Sequence, residues 1–233
     1  MDETLLLMPG LLCDARLWRD QIAALSGRVR PVVADLTADD SLDAMARRAL
    51  DRVPGRLALC GLSMGGYAAL ALLRLAPQRV TRLCLMDTTA RPDTPAQTRR
   101  RRGLMALTRV GRFHGVTPRL LPQLLHPDHL SDSSLCAEII AMAERVGRDA
   151  FLRQQRAILN RPDSRPDLPR IGVPTLVAVG SHDMLTPPEV AEETAERIPG
   201  AVLRVIPGAG HLSPLEAPAS VTELLRQWLD DTI

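Results

Sequence analysis

The chain has no lysine: all 29 of its basic residues are arginine, set against 27 acids for a formal net charge of +2. So small an imbalance excludes binding of a polyanion through bulk charge, and no nucleic-acid partner is expected. An all-arginine basic complement fits coding bias in a GC-rich genome, which makes any arginine run a weak pointer to function. Aromatic residues are scarce, with Trp 2, Tyr 1 and Phe 2, which excludes sugar stacking and large aromatic boxes. No apolar stretch approaches the roughly 20 residues of a membrane span. The acidic start Met1-Asp2-Glu3-Thr4 and the stop at Pro9 do not describe a signal peptide, so a soluble cytoplasmic protein is expected. Cys13, Cys60, Cys84 and Cys136 form no metal spacing, and neither metal nor cofactor is expected. Cys60 and Cys84 sit in apolar runs, which suits small hydrophobes in a reducing compartment.

What is present is an alternation. The 233 residues fit one domain, or one domain carrying an insertion. Short apolar runs at 5–8, 31–34, 57–60, 83–86, 175–179 and 202–206 read as strands covered on both faces, as in a parallel sheet. Amphipathic segments between them supply crossover helices: one from an Asp14 N-cap to Leu25, one opening at Ser41, one over 65–75. The fold class is therefore α/β, a mostly parallel sheet of about six strands with helices on both faces. Between Thr88 and Arg170 the pattern breaks. Helical stretches are expected there at 97–108, 118–125, 134–146 and 150–159, too long a passage for a simple crossover. The expected division is a core of 1–88 and 171–233 with a helical cap, 89–170, inserted over one end of the sheet. That segment carries 15 arginines against 8 acids.

The chemistry concentrates in Gly61-Leu62-Ser63-Met64-Gly65. A buried strand enters this G-x-S-x-G and a helix leaves it, the context in which a strained turn lifts a serine clear of the sheet edge. The helix N-terminus favours negative charge developing there. A serine hydroxyl needs a base, and His211 fits, in Pro207-Gly208-Ala209-Gly210-His211 directly after the last strand. A carboxylate must then hold the imidazole. Asp183, just after a strand in Gly180-Ser181-His182-Asp183, gives the chain order Ser, Asp, His; Asp87, at the end of the preceding strand, is its rival. Two backbone donors for a tetrahedral oxyanion are expected from Met64 and from Leu11, in the loop Pro9-Gly10-Leu11-Leu12.

Taken together, 7–12, 61–66, 180–183 and 208–211 span nearly the whole chain in order, and on them the sequence resembles a capped α/β-hydrolase of the esterase, lactonase and C–C hydrolase group. The resemblance implies a triad of Ser63, Asp183 and His211 with Leu11 and Met64 lining the oxyanion hole. Pro9-Gly10 stands where many relatives have His-Gly, which removes a side chain that often braces this loop.

Candidates for the substrate pocket are Leu12, the cap residues Leu104, Met105, Leu121 and Leu125, and Leu185 and Leu212 beside the triad. The expected activity is hydrolysis of a small to medium, partly apolar carboxylic ester through an acyl-enzyme, with the small-molecule ester as partner. Two alternatives stay open: a lactonase or C–C hydrolase or lyase on an anionic metabolite, and a non-catalytic small-molecule binding protein. His126-Pro127-Asp128-His129 reads as a polar loop rather than metal ligands, Arg99–Arg102 as a solvated helix face with binding of an acidic substrate or acyl-carrier protein as the alternative, and Cys13 as packing rather than pocket lining. Oligomeric state has no signature.

Overall fold

The computed structural model describes residues 3–111 and 113–232. Six strands, β1 (Glu3–Met8), β2 (Arg30–Val33), β3 (Arg56–Leu62), β4 (Val80–Met86), β5 (Thr175–Gly180) and β6 (Val202–Ile206), form one sheet. Every pairing is parallel, in the order β2-β1-β3-β4-β5-β6. The order reverses between β1 and β3, and in such sheets ligands bind beyond the carboxyl ends of the strands at that reversal.

The apolar runs divide cleanly by strand periodicity. Leu6, Met8, Leu57, Leu59, Leu83, Leu85, Val177 and Val179 point to one face of the sheet. There they meet α2 (Leu42–Arg52), α3 (Met64–Leu75) and α7 (Pro188–Arg197). Leu5, Leu7, Ala58, Cys60, Cys84, Met86 and Leu176 point to the other, under α1 (Arg19–Leu25) and α9 (Pro218–Leu229). Each fully buried leucine contributes roughly 1.5–3 kcal/mol, so both faces are strongly fixed. Cys60 and Cys84 are register partners at 0% exposure. Burial pushes the Cys84 thiol well up, so it stays neutral.

Between β4 and β5 the chain is helical: α4 (Pro95–Val110), α5 (Leu121–Leu124) and α6 (Ser133–Leu159). Thr94 and Gln97 close a reciprocal capping box at the start of α4. The last short helix before α9 is α8 (Ser213–Glu216). Two expectations are corrected and one is refined. The helix expected over 118–125 shrinks to the single turn of α5, because turn bonds from Leu120 to Thr117 and from Leu121 to Pro118 occupy its start. The two helices expected at 134–146 and 150–159 are present as the two halves of α6, which meet at a kink at Gly147, whose φ of 78° only glycine adopts freely. Asp14 caps a 3-10 turn, Ala15–Trp18, which then runs on into α1.

The sheet edge is shaped by a close approach. Gly65, in the first turn of α3, lies against the end of β1, where an added Cβ would overlap the Met8 carbonyl oxygen. Gly65→Ala is therefore expected to lower the thermal midpoint by at least ~10 °C or to abolish folding, because backbone has no rotamer by which to retreat. Gly172→Ala, with nothing within 4 Å, stays within ~2 °C of wild type in the same denaturation assay.

Candidate active site

Ser63 joins β3 to α3 with φ 54° and ψ −118°. Its own backbone is held at both ends: its N–H donates to Met86 O (3.0 Å), and its carbonyl accepts from Gly66 N (2.9 Å) and Thr88 Oγ1 (2.7 Å). Leu12, Ser63 and Asp87 all have positive φ, and all three border the carboxyl edge of the sheet. Such conformations cost of order 1–3 kcal/mol each and persist where surrounding structure over-determines them.

His211 reaches this edge from the loop after β6. Its Nε2 lies 2.9 Å from Ser63 Oγ and its Nδ1 2.8 Å from Asp183 Oδ2. Both His211 and Asp183 are buried, at 4% and 2% exposure. Asp183 also accepts from Leu185 N (2.8 Å), Thr186 N (3.0 Å) and Thr186 Oγ1 (2.7 Å). Burial alone would raise its pKa, but the His211 imidazole and these donors outweigh that and hold it below the ordinary carboxylate value. The converse holds for His211. Burial opposes its charged form, yet the Asp183 carboxylate prevails and raises the imidazole above its ordinary 6.5.

Asp87 does not meet the histidine. Its Oδ1 accepts from Gly180 N (2.7 Å) and its Oδ2 lies 2.5 Å from Ser213 Oγ. Burial, then the neighbouring Asp183 charge, push its pKa up to about 8, so at neutral pH it is a protonated acid.

The loop after β1 turns through a bond from Cys13 N to Gly10 O (3.1 Å). The brace that Pro9 cannot supply comes from α6. Gln154, 0% exposed, accepts from Leu12 N (3.1 Å) and donates through Nε2 to Leu36 O (3.2 Å). Among the described residues no hydrogen bond takes up the N–H of Leu11 or of Met64. Cys13 lines the neighbouring cavity, but burial pushes its thiol up to about 12 and keeps it inert.

A second carboxylate that the sequence reading missed ties these parts together. Glu216 Oε1 accepts from Gly210 N (2.9 Å) and Leu212 N (3.2 Å), the two amides flanking His211. Its Oε2 accepts from His126 N (2.7 Å) and lies 3.1 Å from His129 Nδ1. His211 N itself donates to Leu124 O (2.8 Å). The histidine loop is thus bonded directly to the end of α5, and Gly210 lies so close to the segment after it that an added Cβ would sit 2.8 Å from His126 N. His126 and His129 therefore serve this joint, and among the described residues no cluster fit to hold a metal is found.

Above Ser63 and His211 opens a cavity of about 470 Å³. Leu12, Leu104, Leu185 and Leu212 line it, as expected from the sequence. Met105, Leu121 and Leu125 do not. Residues 97, 100, 101, 104, 107 and 108 are the face α4 turns to the cavity, which leaves Met105 on a different flank. Leu121 and Leu125 are buried in the apolar core instead, while Leu120, Gln123 and Leu124 line the wall. Phe113 and Phe151, with ring centroids 5.5 Å apart, close another side. Within the arginine run, Arg100 and Arg101 line the cavity and Arg99 and Arg102 do not; Arg101 is half-buried and the other three are exposed.

Residues 5–224 match the model of the alpha/beta hydrolase family. The chain belongs to that family. Among curated alpha/beta hydrolases and related proteins it is 28% identical, over 92% of its own length and 90% of the relative's, to a pimeloyl-[acyl-carrier protein] methyl ester esterase of Nitrosomonas europaea. Among solved structures it is similar to a thermophilic esterase from Thermogutta terrifontis (TM-score 0.88, 32% identity, 98% of this chain and 90% of that one). It is also similar to the enol-lactonase from Burkholderia xenovorans LB400 (TM-score 0.83, 25% identity, 97% and 92%). No helix among the described residues of this alpha/beta hydrolase is long and apolar enough to cross a membrane.

Glu216→Ala is expected to strand three buried N–H groups and to cost roughly 3 kcal/mol in urea denaturation. A loss under ~0.5 kcal/mol would mean the joint is not held by this carboxylate.

Proposed function

We propose that the chain is a serine-dependent carboxylic-ester hydrolase. The observation that carries the reading is the unbroken contact from Asp183 through His211 to Ser63, 2.8 and 2.9 Å long, at the floor of a cavity. His211 Nε2 takes the Ser63 proton as Oγ attacks the ester carbonyl. The carbonyl π electrons move to oxygen, and the resulting oxyanion lies against the N–H groups of Leu11 and Met64. Collapse expels the alcohol, which takes the proton from His211, and leaves Ser63 acylated. Water, deprotonated by His211, then releases the acid and restores the serine. Asp183 holds the imidazole tautomer with its Nε2 free and stabilises the imidazolium. Asp87, protonated at neutral pH, cannot do so. Segment 89–170 acts as the cap that encloses the substrate. The relatives named as esterases and as an enol-lactonase, a cyclic-ester hydrolase, support this chemistry.

Hydrolysis of p-nitrophenyl esters from C2 to C12 tests the reading. Ser63→Ala is expected to lose about a million-fold in turnover, the scale of triad knockouts elsewhere. Wild-type inactivity on every ester would overturn it. Asp183→Asn is expected to lose about ten-thousandfold. Asp87→Asn, which keeps the shape of a neutral acid, loses under about fivefold; reversal of that order would move the triad acid to Asp87.

The pH profile follows from the direction at His211. Only the neutral imidazole is a base, and its pKa lies above 6.5, so kcat/KM rises with pH through a midpoint above 6.5 and falls away below it. A midpoint below 6 would contradict the Asp183 assignment.

A further inference from the structure

The amide and guanidinium part of the cavity wall is biased towards donors. Three glutamines line it, and the chain occupies the carbonyl oxygen of each. Gln97 Oε1 accepts from Thr94 N (2.8 Å), Gln123 Oε1 from Arg100 Nη2 (3.0 Å) and Gln155 Oε1 from Arg101 Nη1 (2.7 Å). Each amide keeps its NH2 group, with two donor hydrogens, against one remaining lone pair on its oxygen. Gln155 is 2% exposed, so its free donor is shielded from bulk water.

The charges agree. Arg100 and Arg101 line the cavity, and among the described lining residues there is no Asp or Glu. Arg101 shares the single Asp93 carboxylate, 2.8 Å away and outside the cavity lining, with Arg161 at 2.7 Å. Arg100 is different: its bond runs to the neutral Gln123, and its guanidinium, charged at every accessible pH, keeps further N–H groups for a ligand. The lining also includes Leu12, Val116, Ile139 and Leu212, which suit a short aliphatic chain.

We propose that the cavity selects an ester whose acyl chain ends in an anionic oxygen group, a carboxylate or a phosphate, received by Arg100 and the Gln155 amide. An anion would occupy donors that a neutral alkyl end leaves unpaired, and a charge-assisted bond from guanidinium is about twice as strong as a neutral one. Arg100 and Gln155 are thus specificity residues, and the arginine run is more than a solvated face. The inference rests on the esterase reading for the reaction, but not for what the cavity binds.

The test pairs monomethyl esters of straight-chain dicarboxylic acids, succinate to suberate, with methyl esters of monocarboxylic acids of the same length. An ω-phosphoryl methyl ester series distinguishes phosphate from carboxylate. Wild type is expected to favour one anionic series in kcat/KM by about tenfold or more at its optimal length. Arg100→Gln and Gln155→Leu should each lower that ratio by about tenfold, and Arg100→Glu should invert it. A wild-type ratio near one, or a ratio unmoved by Arg100→Gln, overturns the inference while leaving the esterase reading intact. Thermal shift with the free dicarboxylates and with ω-phosphoryl carboxylates reads binding without turnover. A rise in wild type that is lost in Arg100→Glu supports the anionic site even if no ester is hydrolysed, and no rise with any of them, together with no hydrolytic preference, overturns it.

Discussion

Everything at the carboxyl edge of the sheet depends on how abruptly β3 becomes α3. One residue, Ser63, separates strand from helix, and it does so at a positive φ that costs free energy. The turn holds only because α3 starts in contact with the end of β1, a contact that glycine alone at position 65 permits. From that single constraint follow the elevation of the Ser63 hydroxyl, the free N–H of Met64 beside it and the proximity of the Leu11 loop. The buried leucines on both faces of the sheet hold this geometry fixed.

The histidine, by contrast, rides on a loop and is held from two sides. On the sheet side Asp183 fixes the ring, and the protonated Asp87 ties Ser213 to the end of β5. On the other side Glu216 and Leu124 bind the loop backbone to the end of α5 and the segment that follows it. Gln154 does for the Leu11 loop what Glu216 does for His211. The helical passage between β4 and β5 thus lines the cavity and also supplies polar groups that bond to the Leu11 and His211 loops. Two buried carboxylic groups near the histidine avoid mutual repulsion by taking different protonation states, one ionised and one not.

The strands were legible because buried parallel strands carry near-continuous apolar runs, and the serine turn because its glycines are forced by backbone contact. Met105, Leu121 and Leu125 were misjudged for one reason: apolarity does not say which flank of a helix meets a cavity and which meets the core. The proline-rich start of α5 further hid how short that helix is. Glu216 and Gln154 had no local signal, since their meaning lies in bonds to residues 90 and 142 positions away. The same holds for the three cavity glutamines, whose donor character emerges only when each carbonyl partner is identified. Within the arginine run, helical spacing separates Arg100 and Arg101 from their neighbours, but composition alone made all four look alike.

The central claim is that Ser63 is the activated nucleophile of this site. Its most direct test is incubation of the native protein with a fluorophosphonate, followed by intact mass and peptide mapping. The account predicts one adduct per chain, on Ser63, with labelling strongly slowed in His211→Ala. Absence of an adduct on the folded protein, or an adduct on another serine while Ser63 stays free, would contradict it.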